Sequence, residues 1–110
     1  MPADEPPDEH AELRAIWEEH REATFARVAA LERAADLARE GKLEPADRES
    51  ARREAHTLAG AVAFFGYLDA SRLASDLERT FQEGPRSDPE RLHELVTKLR
   101  GALKGLPYTL

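Results

Sequence analysis

The stretch Ala55-His56-Thr57-Leu58-Ala59-Gly60-Ala61-Val62-Ala63-Phe64-Phe65-Gly66 sets the reading of this chain. Together with Ala51 before it, the residues Ala55, Leu58, Val62 and Phe65 fall at spacings of four and three, the repeat that lines one face of an α-helix. The alternation of a half-buried strand is absent here and elsewhere. The segment is therefore a helix, opened near Pro45, where a missing N–H costs nothing in the first turn, and stopped at Gly66.

Outward from this helix the same spacing recurs three times. Upstream, about Glu9 to Glu40, the apolar stripe is Leu13, Trp17, His20, Thr24, Val28, Leu31, Ala35 and Ala38, widened by Ile16 and Phe25. Asp8 is placed as its N-cap and Gly41 as its stop. About thirty residues is long for one globular helix, so a break between His20 and Thr24 is an open alternative to a single rod. Downstream, Asp69 is placed as an N-cap, with Leu68 and Leu73 as a hydrophobic staple. Leu73, Leu77 and Phe81 then point inward until Gly84-Pro85. A last helix has Asp88 as cap, Pro89 in its first turn and an apolar face of Leu92, Leu95, Val96, Leu99 and Leu103, closed by Gly105 and Pro107. The short links around Gly66 and Gly84 make successive helices antiparallel neighbours. The fold expected is all-α, an up-down-up-down four-helix bundle with an N-terminal helical extension. The bundle spans 9–105, residues 1–8 form a Pro-rich acidic tail or linker, and 106–110 form a short C-terminal tail.

Composition agrees and narrows the function. The chain has 110 residues, 41% hydrophobic and 35% charged, with mean hydropathy -0.63, enough for one domain with one core. No apolar run reaches the ~20 residues a membrane span needs, and the acidic start lacks the pattern of a secretory signal. The expected setting is the cytoplasm. A net charge of -6 argues against a sequence-independent grip on nucleic-acid phosphates. The absence of cysteine excludes disulfides and thiolate metal sites. Glu90-Arg91-Leu92-His93 has the Glu-x-x-His spacing of bundle metal sites but lacks a second copy, so no metal site is expected.

His56 is the residue these patterns leave unexplained. It follows Ala55 of the buried seam and is rotated about 100° from it, toward the flank or the solvent. One turn downstream lie Ala59 and Gly60, then Ala63; one turn upstream lie Arg52 and Arg53. A helix-interior glycine costs about 1 kcal/mol relative to alanine. Two explanations offset that cost: close packing by a neighbouring helix, or access for a partner surface to the imidazole. The chemistry suits histidine, whose ordinary pKa leaves a free nitrogen lone pair near neutral pH. That nitrogen can attack phosphorus and leave again, and Arg52, then Arg53, are the nearest cations for phosphoryl oxygens. Of the other histidines, His10 reads as solvated, His20 as half-buried and His93 as exposed. Phe64 and Tyr67 read as cover for the bundle end, ahead of a docking patch.

The segment from Ala55 to Gly66 resembles the signature of histidine-containing phosphotransfer (HPt) domains, roughly A-H-x-L-K-G followed by small residues and an aromatic before Gly. Leu73-Ala74-Ser75-Asp76-Leu77-Glu78 is similar to that family's L-x-x-x-L-E on the next helix. The resemblance implies a phosphorelay carrier without kinase activity of its own. It would accept a phosphoryl group on His56, at Nε2, from a receiver-domain aspartate or a histidine kinase, and pass it to another receiver. The partners implied are a response-regulator receiver domain and a histidine kinase, for a chain acting as a monomer. No cofactor is implied in this chain, Mg²⁺ being supplied by the receiver. Gly60 and His56 match the family's pattern. The lysine usual three residues after the histidine is replaced by Ala59, which opens the alternative of an HPt-like docking module that binds without transferring. A plain helical oligomerisation unit is a further alternative, drawn from the long first helix.

Overall fold

Each turn of the chain is made where a residue frees or fixes the backbone. In a computed structural model that describes residues 11–105, four helices follow in order: α1 (Ala11–Arg39), α2 (Pro45–Phe64), α3 (Leu68–Gln82) and α4 (Pro89–Ala102), with a single 3₁₀ turn at Gly84–Arg86. Gly66 takes φ 87°, a left-handed conformation that side-chain-bearing residues resist. The chain reverses there in three residues, and the Tyr67 amide donates to the Val62 carbonyl at 3.0 Å. α4 opens as its sequence predicts: the Asp88 side chain accepts from the Glu90 amide, and Pro89 occupies the first turn.

Consecutive helices pack against one another, and α4 returns to α1, so the four form a closed square with α1 and α3 on a diagonal. Its interior holds Val28 and Leu31 of α1, Ala55, Leu58 and Val62 of α2, Ala70, Ala74, Leu77 and Phe81 of α3, and Leu92, Leu95 and Leu99 of α4. The four-helix bundle is thus as expected. No helix of the described residues is long and apolar enough to cross a membrane.

Three local expectations are corrected. α1 is continuous through His20 to Thr24: the Thr24 hydroxyl donates to the His20 carbonyl at 2.9 Å, so this buried threonine is satisfied inside the helix and needs no break. α3 begins two residues early, at Leu68, with Tyr67 rather than Asp69 in the cap position. Asp69 pairs with Arg72 within the first turn, and Leu68 is 66% exposed, so no staple forms. The cause is Tyr67 itself. Its ring is buried beside Trp17 at 5.1 Å between centroids, and its hydroxyl donates to the Gly105 carbonyl at 2.7 Å. With Tyr67 anchored inward, the next residue must face out. The third correction is Phe64, which is 60% exposed and stands edge-on to the buried Phe65 rather than covering the bundle end. Asp8, His10, Leu106 and Pro107 lie outside the described residues.

Charged helix faces add links between helices. Arg100 of α4 clasps Glu32 of α1 through two hydrogen bonds of 2.7 and 2.9 Å. Arg39 clasps Glu90 in the same way, and Arg27 of α1 reaches Glu54 of α2 at 2.7 Å. The Arg21 and Arg100 guanidiniums both lie over the Phe25 ring, 5.7 and 5.6 Å from its centroid.

Candidate functional site

The register of α2 fixes where its polar groups stand. Ala55 and Leu58 are fully buried; His56, between them in sequence, emerges with its side chain 72% exposed. On α3, Leu77 is fully buried and Glu78, the next residue, flanks the α2–α3 seam with only 19% of its side chain exposed. The two meet across that seam. His56 Nδ1 lies 3.0 and 3.1 Å from the Glu78 carboxylate oxygens. A carboxylate can only accept, so Nδ1 carries a proton, and in the neutral ring Nε2 keeps the lone pair. Nε2 is on the far side of the ring, turned from Glu78.

Arg52 completes the group. Its Nη1 donates at 3.2 Å to Glu78 Oε2, the same oxygen that His56 Nδ1 meets at 3.0 Å. Its Nε and Nη2 donate to Glu49, at 2.9 and 2.7 Å. Arg53 is 72% exposed and makes a longer contact of 3.4 Å with Glu49. The hydrogen bond from Arg52 is the first cause that holds the Glu49 carboxyl down to about 2; the reciprocal bond raises the already high pKa of Arg52. Of the two arginines singled out from the sequence, only Arg52 joins the group around His56.

The floor beside the imidazole is bare. A methyl group built on Gly60 would meet no atom within 4 Å, which rules out close helix packing as the reason for this glycine. Gly60 and Ala63 are exposed, and Ala59 is half-buried against the core, its carbonyl accepting from Ser71 Oγ at 2.9 Å. On the other flank of α2, a groove of about 290 Å³ runs between α1 and α2, lined by Ile16, His20, Thr57, Ala61 and Phe64 among others. His20 is exposed here, not half-buried, its ring 6.2 Å from that of Phe65. His93 is half-buried rather than exposed. Among the described residues no three His, Cys, Asp or Glu side chains are grouped to hold a metal ion; Glu90 is engaged by Arg39.

His56 thus stands exposed on the second helix of a four-helix bundle, paired through Nδ1 with Glu78, with exposed Gly60 and Ala63 further along the same helix. The model of the Hpt domain family matches residues 10–106. The chain belongs to the Hpt domain family. Comparisons with curated proteins and with solved structures gave no match. Hpt domains serve histidine phosphotransfer in phosphorelay signalling, as carriers rather than kinases, and interact with receiver domains and kinases. In this Hpt domain the sequence pattern singled out His56, Arg52, Arg53, Ala59, Gly60 and Ala63 and gave no role to Glu78 or Glu49. Glu78 enters the sequence pattern only as the last residue of the L-x-x-x-L-E match; its place at the same helix level as His56, on the far side of Gly66, is the available signal.

Proposed function

We propose that this Hpt domain carries a phosphoryl group on Nε2 of His56, exchanging it with the aspartate of a receiver domain in the cytoplasm, as a monomer. The observation that carries the reading is the Glu78 bond to Nδ1, which leaves the lone pair on the exposed nitrogen. In the forward step the lone pair forms an N–P bond as the P–O bond of the receiver's aspartyl phosphate breaks, and the carboxylate leaves with that electron pair. His56 keeps its Nδ1 proton, so the ring becomes cationic, facing the Glu78 carboxylate. Opposite charge at that distance favours the loaded ring. The reverse step gives the phosphoryl group to the next receiver. The receiver brings Mg²⁺ and the acidic pocket; this chain contributes the nitrogen, its tautomer and an unobstructed approach.

The test is incubation with a phosphorylated receiver domain. An acid-labile, base-stable phosphoprotein is expected, and His56→Gln abolishes it; equal labelling of that variant overturns the proposal. Ala59 favours one other reading, a docking module that binds a receiver or kinase without transfer. It predicts receiver binding that persists in His56→Gln, with no label passing to the native chain or to the variant.

A further inference from the structure

The Arg52 guanidinium is divided between two carboxylates with unequal claims on the site. Glu78 binds His56; Glu49 binds only arginines, Arg52 through two short bonds and Arg53 through a long one. Helical side chains lean toward the N-terminus of their helix. Arg52 therefore reaches back to Glu49, three residues earlier, while His56, one turn on, leans back toward Arg52. The guanidinium and the imidazole share one oxygen of Glu78, yet the bidentate edge of Arg52 faces away from the ring. Position 59, where the resemblance expects a lysine, offers only a methyl group.

We propose that Glu49 is a latch on Arg52, occupying the Nε–Nη2 edge of its guanidinium while the imidazole is empty and releasing that edge to the phosphoryl oxygens when His56 is loaded. The inference rests on the phosphocarrier reading above. Glu49 is 47% exposed on its side chain and Arg52 25%, and a pair so open to water is weak enough to exchange. A phosphoryl group offers three strong acceptor oxygens and close to two negative charges, a better partner for a guanidinium fork than one carboxylate. Glu49 stays ionised throughout the neutral range, so the latch answers to the phosphoryl group rather than to pH. Arg52 acts as a positioning residue in the empty state and touches the transferred group only after release.

The experiment loads the purified chain with phosphoramidate and follows phosphohistidine by ³¹P NMR and the Arg52 Nε–H group by ¹⁵N NMR. Nε2 forms its bond to phosphorus as the donor's N–P bond breaks and ammonia leaves. Glu49→Gln is expected to load about two- to five-fold faster, the range over which an exposed ion pair weighs, and Glu49→Ala likewise. Arg52→Gln loads more slowly, and adding Glu49→Gln to it restores nothing. The Arg52 Nε–H signal shifts on loading of the native chain. Unchanged loading in both Glu49 variants, or the same acceleration in the Arg52→Gln background, overturns the latch alone. Absence of phosphohistidine on the native chain, or equal labelling of His56→Gln, overturns the phosphocarrier reading and the latch with it.

Discussion

Glu78 of α3 accepts a 3.0 Å hydrogen bond from Nδ1 of His56 of α2, which favours the tautomer with the proton on Nδ1. Removing the carboxylate in Glu78→Ala is expected to lower phosphoryl transfer about ten-fold, the effect of losing ~1.4 kcal/mol of a charge-assisted bond. Glu78→Gln keeps an acceptor but no charge and loses less. ¹⁵N spectra of the imidazole check the cause directly: the Nδ1–H form should dominate in the native chain and fall in Glu78→Ala.

Gly60 separates stability from access. Its helix position is open to a methyl group, so Gly60→Ala is expected to raise the unfolding free energy by about 1 kcal/mol in urea titration. Gly60→Trp is expected to fold and yet to block labelling by a receiver, because the indole would stand on the floor beside His56.

Ala59→Lys restores a cation on the turn after His56. The position is half-buried, and a lysine stem can lie along the apolar surface with its ammonium in water. Transfer is expected to rise about ten-fold, as one added charge-assisted hydrogen bond would give, with the unfolding midpoint unchanged. Equal rates would show that the lysine is dispensable in this chain.

Trp17 holds the first half of α1 to the bundle. It is 1% exposed and packs against Phe65 and Tyr67, each at 5.1 Å. Trp17→Ala is expected to cost about 3–5 kcal/mol, read from urea titration by circular dichroism. Amides of α1 before Thr24 should lose protection from hydrogen exchange before those of α2.

Acid should unfold the domain through its clasped carboxylates. The Arg100 hydrogen bond lowers the Glu32 pKa, and Arg39 does the same for Glu90; Glu49 is held at about 2. A carboxyl whose pKa is lower in the folded than in the unfolded chain binds fewer protons when folded. Its contribution is complete above the ordinary carboxylate range and is lost as pH falls from there through the lowered values. The urea midpoint should therefore be flat near neutrality and drop as pH goes from about 4.5 toward 2. Glu32→Gln should lower the plateau by about 0.5 kcal/mol and soften the drop.

What the sequence makes legible here is what depends on near neighbours. The α2 seam of Ala51, Ala55, Leu58 and Val62, the Asp88 cap and the reversal at Gly66 rest on spacings of a few residues, and each stands in the structure. His56 emerges from the same arithmetic. The bond to Glu78 joins residues twenty-two positions apart and depends on how α3 slides along α2, which periodicity does not specify. Asp69 failed as a cap for a related reason. Its local preference was overridden by Tyr67, whose buried ring and bond to Gly105 set the start of α3 from thirty-eight residues away. The inter-helix clasps of Arg100 on Glu32 and Arg39 on Glu90 were likewise hidden among residues that read as solvated faces.

Every group around His56 hangs from backbone already wound into helix: Glu49, Arg52 and Gly60 on α2, Glu78 on α3. A visiting surface meets no loop that must first be ordered, so docking forfeits rigid-body freedom and a few rotamers and little else. Little binding energy is then needed to offset ordering, and a complex can form usefully while staying loose. Short residence suits a carrier that must leave one partner before it can serve the next.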